Sequence, residues 1–265
     1  MGDSYPQRIV CLTEEPTEVL YRLGEQARIV GISGFTVRPP EARREKPKVS
    51  AFTSARIDRI LALQPDLAIG FSDIQADIAR ELIRAGVEVW ISNHRSVEGI
   101  LAYTLRLGAM VGAQVRAEAL VDTMRAAIAQ AQALAAELPR RPRVYFEEWD
   151  EPLISGIRWV CELIRIAGGE DVFPARAAAA LARDRILADP NEVIAAAPEL
   201  ILGSWCGKKF QPARVQARPG WAAIPAVQRG ALHEIKSAVI LQPGPAAILD
   251  GLPLLSRHIA AVARG

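Results

Sequence analysis

Two adjacent acids, Glu14 and Glu15, stand where a helix is predicted to begin, in the segment TEEPTEVLYRLG. The positive end of a helix stabilises carboxylates, so helix capping is the ordinary explanation of this pair. The alternative is that both carboxylates face a ligand, together with Asp73, Glu147 and Glu148. Such an acidic group would select a ligand that offers amines, hydroxyls or a metal ion. Both interpretations stay open at the level of sequence.

The spacing of metal-ligand residue types does not support a metal site. His94 could join Glu14, Glu15 or Cys206, since imidazole, carboxylate and thiolate all bind metals, but these residues form no recognised ligand motif. The three cysteines are widely separated, which argues against a zinc site and against a disulfide framework. We therefore expect neither a bound metal nor another cofactor.

Residues that could recognise an anion or perform catalysis are scattered. Arg38, Arg95, Arg158 and Arg185 could each bind a carboxylate or phosphate in bidentate fashion. The sequence has no nucleophile elbow, P-loop, dinucleotide glycine fingerprint or acid–base pair at a diagnostic spacing. We therefore expect a non-catalytic protein.

Charge and hydropathy exclude several classes of partner. The 265 residues include 32 basic and 30 acidic side chains, and the net charge of +2 predicts no binding to nucleic acid. No apolar run approaches the roughly 18 residues that span a bilayer, so membrane insertion is not expected. The segment MGDSYPQRIVCL lacks the features of a secretion signal, which predicts a cytoplasmic location. A periplasmic location is the alternative if a leader has been removed.

An internal repeat indicates two similar halves. The segment ILALQPDLAIG, residues 60–70, is echoed by VIAAAPELILG at residues 193–203, about half a chain length later. Proline ends a helix, and the short apolar run that follows is typical of a strand buried on both faces of a parallel sheet. Two copies of this helix–proline–strand pattern favour two α/β lobes.

A long helix is predicted between the halves. Residues 114–138 contain strong helix formers without glycine or proline, and about 25 such residues make a rod of roughly 37 Å. We predict an amino-terminal lobe over residues 1–113, the connecting helix over 114–138 and a carboxyl-terminal lobe over 139–265. Residues 34–52, rich in proline and charge, are predicted to be a surface loop, and the alanines at 177–180 a helix surface.

Six segments, in order, resemble the landmarks of the helical-backbone (class III) solute-binding proteins of ABC importers for vitamin B12, ferric siderophores and haem. They are RIVCLTEEPTEVLYRLG, IDRILALQPDLAIG, GVEVWIS, AGGEDVF, NEVIAAAPELILG and PGWAAIPAVQRGALHEI. The resemblance spans residues 8 to about 260. It implies two Rossmann-like lobes joined by a single long α-helix, with a ligand cleft between the lobes at the carboxyl ends of the strands.

The resemblance also implies a function. A bulky corrinoid, siderophore, haem-like ligand or other metal chelate would be held for import through an ABC permease, or by a cytoplasmic carrier or sensor, and the protein would be a monomer. An enzyme or a partner-docking module on the same two-lobe scaffold remains the alternative.

By the same resemblance, ligand contacts lie on the loops that follow strands. The residues so implied are Glu14, Glu15, Phe35, Arg38, Phe52, Phe71, Asp73, His94, Trp149, Arg158, Trp159, Trp205, Cys206 and Gln242. Phe52 falls where B12-binding relatives carry an aromatic residue, and Trp205 lies at the matching place after the second repeat copy. Two such rings would clamp a flat ligand. The alternative is that tryptophans near strand ends pack the core of a lobe.

This sequence departs from the family pattern in two ways. B12-binding relatives carry an acid and an arginine where Ala238 and Gln242 stand, which argues against vitamin B12 itself. Asp77 fits the acid with which the first lobe meets a permease, but the second lobe offers only basic residues. These are Lys208, Lys209, Arg214 and Arg218. Their charges would repel a basic docking surface, which weakens the importer role.

Overall fold

Parallel strands covered on both faces organise the computed structural model, which describes residues 4–265. Met1–Asp3, the start of the segment assessed above for a secretion signal, lie outside the described residues. The chain forms two compact units: one contains the described residues up to His94 and Glu98–Thr123, and the other contains Arg95–Val97 and Met124–Gly265. The α/β class predicted from the sequence is confirmed.

The first unit is built on a five-stranded parallel sheet. Its strands, in the spatial order β3-β2-β1-β4-β5, are β1 Ile9–Cys11, β2 Ile29–Ser33, β3 Lys48–Ser50, β4 Leu67–Phe71 and β5 Val89–Ser92. The order reverses at β1, because β2 lies on one side of it and β4 on the other. In sheets of this kind the loops after the strands at that switch point form the usual ligand-binding edge.

Alternating side chains of the strands fill two cores in the first unit. Ile9 and Cys11 pack on one face with Leu20 of a helix, whereas Val10 and Leu12 pack on the other face with Leu82. Both faces are therefore buried, as expected for a parallel sheet between helix layers. The helices are α1 Glu14–Arg22, α2 Pro40–Glu45, α3 Ile57–Ala62, α4 Ala76–Arg84 and α5 Val97–Met110.

One long helix, α6 Gln114–Ala136, passes from the first unit into the second. Its bounds agree with the predicted segment 114–138 to within two residues. Residues up to Thr123 group with the first unit and those from Met124 with the second.

The second unit has its own sheet, in the order β10-β9-β6-β7, with β8 also paired to β6. All of these pairings are parallel except the β6–β7 hairpin. The strands are β6 Arg143–Asp150, β7 Leu153–Ser155, β8 Glu170–Asp171, β9 Leu200–Gly203 and β10 Leu232–Glu234. The helices are α7 Arg158–Ile166, α8 Pro174–Ala177, α9 Asn191–Ala196, α10 Pro212–Gln216, α11 Pro225–Gln228, α12 Ser237–Ile240 and α13 Leu252–Arg264.

The two repeat copies adopt the same local structure in separate sheets. The first copy forms α3 and β4 of one unit, and the second forms α9 and β9 of the other. In each copy the residue before the proline, Gln64 or Ala197, has a positive φ, of 48° and 42° respectively. Proline disfavours right-handed helical geometry in its predecessor, and α3 ends three residues before Pro65 and α9 two residues before Pro198.

Two sequence-based expectations were wrong in detail. Residues 34–52 are not simply a surface loop, because they contain α2 and the strand β3. The alanines at 178–180 lie beyond the end of α8, which stops at Ala177, and so do not form a helix surface.

Candidate functional site

The acid pair lies at the carboxyl end of β1, next to the switch point of the first sheet. Glu14 and Glu15 form the first turn of α1, and both are buried, with Glu15 only 1% exposed. The hydroxyl of Thr13 donates a hydrogen bond to Glu15 Oε1 at 2.7 Å. Glu15 Oε2 is buried and has no hydrogen-bond partner among residues 4–265. One carboxylate oxygen is therefore left unsatisfied.

Burial changes the protonation of both acids. Desolvation, followed by the charges of Glu15 and Glu18, raises the pKa of Glu14 to about 8. Desolvation raises the pKa of Glu15 to about 7, although hydrogen bonds from Thr13 and from its own backbone amide oppose the shift. The amino-terminal end of α1 contributes some stabilisation of the negative charge. This stabilisation is smaller than the cost of removing the two carboxylates from water. Helix capping alone therefore does not explain why both acids are buried here.

A single amide holds three loops of this edge together. Gln75, fully buried, donates to the carbonyl oxygens of Leu12 and Phe52 at 3.2 and 3.1 Å. Its Oε1 accepts from the backbone amide of Phe71 at 3.0 Å. These contacts join the loops after β1, β3 and β4. Sequence analysis did not single out Gln75, because an isolated glutamine in a helical segment has no distinctive pattern.

Exposed apolar side chains line the same edge of the sheet. Phe35 follows β2 and is 53% exposed, Phe52 follows β3 and is 36% exposed, and Ile74 follows β4 and is 44% exposed. Val37, in the loop after β2, is also exposed. Because the strands are parallel, their following loops share one edge, and the Gln75 contact shows that the loops after β3 and β4 touch. Phe35 and Phe52 are thus available to a ligand.

Aromatic rings stack beside β5. The ring of Tyr103, from α5, lies 4.4 Å from that of His94 and 5.2 Å from that of Trp90, nearly parallel to both. Phe71, which is buried, meets His94 edge-on at 5.4 Å. His94 Nδ1 lies 2.6 Å from the Ser92 hydroxyl. His94 and Phe71 therefore take part in packing, and no group of three or more His, Cys, Asp or Glu able to hold a metal occurs within residues 4–265.

In the second unit the predicted tryptophan Trp205 is an internal residue. It is buried, and its indole NH donates to Glu147 Oε1 at 2.9 Å. Arg218 binds the same carboxylate in bidentate fashion, at 2.6 and 2.9 Å. The expectation that Trp205 offers a face to a ligand is wrong for this structure, because its ring also packs edge-on against Phe210 at 5.0 Å. Glu147 is likewise buried and paired rather than facing a ligand.

Lys208 forms a second cluster in the loop after β9. Its ammonium pairs with the buried carboxylate of Asp150 and lies 4.1 Å from the ring centre of Trp149. Arg214 is 3.4 Å from the other oxygen of Asp150. Together with the Arg218 pair, these contacts neutralise three of the four cations that were expected to repel a docking surface. Lys208, Arg214 and Arg218 therefore present less net positive charge to a permease than the sequence alone suggests.

Trp159 and two of the predicted arginines also have structural roles. Trp159 is buried in α7 and its indole NH donates to the carbonyl of Ile240 at 2.9 Å, so it packs the core instead of contacting a ligand. Arg185 is buried and binds Glu148 at 2.6 and 3.0 Å. Arg158, exposed, pairs with Glu162 at 2.8 Å along one face of α7.

The remaining candidates differ in exposure. Asp73 and Cys206 are exposed, and Arg38 and Gln242 are half-buried. Asp77, the predicted docking residue, lies on α4 with its side chain 84% exposed and 3.0 Å from Arg80.

The comparison with known proteins decides the family. Residues 9–239 match the family model described as periplasmic binding protein. The chain belongs to this family. The resemblance to solute-binding proteins proposed from the sequence is thereby confirmed. Within residues 4–265, no helix combines the length and hydrophobicity needed to cross a membrane.

Relatives of similar sequence carry names that refer to corrinoids. A cobalamin-binding protein of Halobacterium salinarum is 26% identical over 64% of this chain and 47% of its own length. A vitamin B12-binding protein of Vibrio campbellii is 29% identical over 63% of this chain and 61% of its own length. The chain thus aligns with about half to three fifths of the length of these relatives.

Solved structures with the same fold cover nearly the whole chain. The periplasmic heme-binding protein RhuT from Roseiflexus sp. RS-1 gives a TM-score of 0.83 at 24% identity, covering 97% of this chain and 99% of that one. The vitamin B12-binding protein BtuF of Vibrio cholerae gives 0.78 at 18% identity, covering 98% and 99%. At these identities the similarity establishes the fold.

Proposed function

We propose that this protein binds a bulky, largely apolar, ring-bearing solute such as a corrinoid, a haem-like molecule or a siderophore chelate, and delivers it to an ABC permease without chemical change. The observation that carries the proposal is the set of exposed apolar side chains, led by Phe35 and Phe52, at the carboxyl edge of the first sheet. Contiguous exposed apolar patches often mark binding sites, and the loops that carry these side chains share one edge of the sheet. The names of the relatives support the same class of ligand.

The proposal includes a cellular location and a docking residue. Family membership favours action on the outer side of the cytoplasmic membrane, and a cytoplasmic carrier is the alternative. Asp77, exposed on α4, is the proposed contact of the first unit with a basic permease surface. Fractionation of cells that express the full natural gene distinguishes the two locations.

The binding function is tested by isothermal titration of the purified protein with cyanocobalamin, haemin and a ferric hydroxamate siderophore. We expect stoichiometric binding of at least one of them with a micromolar or lower Kd, and native mass spectrometry should show the intact complex with the ligand unaltered. Absence of binding to all three up to millimolar concentration would refute the proposal. Appearance of a chemically altered ligand would instead indicate an enzyme.

A further inference from the structure

The acids near the end of β6 have cationic partners, whereas the acid pair of the first unit has none among residues 4–265. Glu147 is bound by Arg218 and Glu148 by Arg185, and Asp150 pairs with Lys208. Asp171, another buried acid of the second unit, has no ion pair within the same residues either and accepts from the backbone amide of Phe173 at 3.2 Å. In the first unit Glu14 and Glu15 have no basic side chain within ion-pair distance among residues 4–265, although both are buried. A buried carboxylate without a cation destabilises a protein. Its retention at the edge that carries Phe35 and Phe52 therefore points to a partner outside the chain.

The hydroxyl of Tyr103 supplies an independent observation. It is buried and has no hydrogen-bond partner among the described residues, like Glu15 Oε2. The Tyr103 ring packs in the same buried cluster as Cys11 and Val19, which lie on either side of the acid pair in the chain. Burial and, after it, the charge of Glu15 raise the pKa of Tyr103 well above its ordinary value. No hydrogen bond joins the two groups. An unmet acceptor and an unmet donor thus occupy one buried region of the first unit.

A group that satisfies both must itself donate and accept. A primary carboxamide does so, because its NH2 can donate to Glu15 Oε2 while its carbonyl accepts from Tyr103, and an aliphatic hydroxyl offers the same pair of functions. A carboxylate can only accept, and above the pKa of Glu15, about 7, it would approach an ionised side chain of the same charge. Unpaired like charges at such short range disfavour binding strongly.

We propose that Glu15 and Tyr103, with Glu14 beside them, form a polar subsite that selects ligands whose periphery carries carboxamides or hydroxyls and rejects ligands whose periphery carries carboxylates. The inference rests on the proposed binding function and deepens it. It divides the ligand classes named above, because amide-fringed macrocycles fit the subsite and carboxylate-fringed macrocycles do not.

The test uses two matched pairs of probes at pH 8 in isothermal titration. One pair is cyanocobalamin and its separate monocarboxylate isomers, in which one side-chain amide has been hydrolysed. The other pair is haemin and its dimethyl ester. In each pair that binds, we expect the Kd of wild-type protein to be at least tenfold lower for the uncharged member. In the corrinoid series, at least one of the monocarboxylate isomers should show this difference. Glu15→Gln should reduce that preference to about threefold or less, because the neutral amide no longer repels a carboxylate.

Two further variants separate selection from general packing. Glu98→Gln changes an exposed acid in the first turn of α5 and should leave the preference unchanged. Tyr103→Phe keeps the stacked ring and should weaken binding of the uncharged probe several-fold more than binding of the carboxylate probe. Binding without preference, or a preference that survives Glu15→Gln, would overturn the subsite while the proposed function stands. Failure of every probe to bind would remove the subsite, and failure of the ferric siderophore as well would remove the proposed function.

Discussion

Replacing Glu15 by glutamine should stabilise the protein above neutral pH, which is the reverse of the usual effect of changing a buried, hydrogen-bonded side chain. Burial raises the pKa of Glu15 from its ordinary value of 4.5 to about 7. Each pKa unit corresponds to about 1.4 kcal/mol, so the ionised carboxylate costs roughly 3 kcal/mol of folding stability above pH 8. Glutamine is similar in size and keeps an oxygen for the Thr13 hydroxyl.

The sign of the pH dependence follows from the direction of the shift. Because the folded-state pKa is the higher one, the folded protein binds more protons than the unfolded chain between about pH 4.5 and 7. The free energy of unfolding therefore falls as pH rises through this window, and the Glu14 carboxyl, with a pKa of about 8, extends the fall to higher pH. Below the unfolded pKa the contribution of Glu15 vanishes.

Urea denaturation followed by circular dichroism at pH 5, 7 and 9 measures this effect. The difference in unfolding free energy between Glu15→Gln and wild type should grow from about 1 kcal/mol at pH 5 to about 3 kcal/mol at pH 9. The control Glu98→Gln, at an exposed acid, should show no such growth. A variant less stable than wild type at pH 9, or a difference that does not change with pH, would show that the Glu15 carboxylate has a partner and would refute the reasoning.

Three other substitutions test the packing of the two units, each by thermal or chemical denaturation. Gln75→Ala should cost about 2–3 kcal/mol, because it removes three hydrogen bonds to backbone groups and leaves the Phe71 amide without its acceptor. Hydrogen exchange should rise at Phe71, and unchanged exchange would contradict this role. Glu147→Gln should cost about 3 kcal/mol by leaving Arg218 without its carboxylate, and a neutral result would mean that solvent replaces the pair. Gly203→Ala should cost about 1–3 kcal/mol, because an added Cβ would lie 1.8 Å from the Phe210 ring, and wild-type stability would mean that the ring moves freely.

The order of the main elements could be predicted because their patterns are strong. The long helix α6 has continuous helix formers, and the repeat copies have proline-terminated helices before apolar strands. Short elements such as β3 and β7 were missed. Three residues carry too little periodicity, and such strands form only because a neighbouring strand supplies their hydrogen bonds.

The site could be predicted only in part, because the exposure of a side chain also depends on its tertiary neighbours. Phe35 and Phe52 were proposed from their position after strands, and the structure leaves both exposed. Trp205 and Trp159 follow the same rule yet are buried, because whether an indole packs inward depends on tertiary partners such as Glu147, which lies far away in sequence. The sequence likewise could not predict that Glu15 is buried without a cation, because the absence of a nearby basic side chain depends on the tertiary structure.

Alanine substitution of the two exposed phenylalanines tests whether a ligand binds at the carboxyl edge of the first sheet. Burying the exposed part of either ring against a ligand is worth about 2 kcal/mol, so Phe35→Ala and Phe52→Ala should each weaken binding of the best probe by about thirtyfold. Ile83→Ala, at a 60% exposed apolar residue on α4, is the matched control and should bind as wild type does. Equal affinity of all four proteins would contradict the account, because the ligand would then not contact the carboxyl edge of the first sheet.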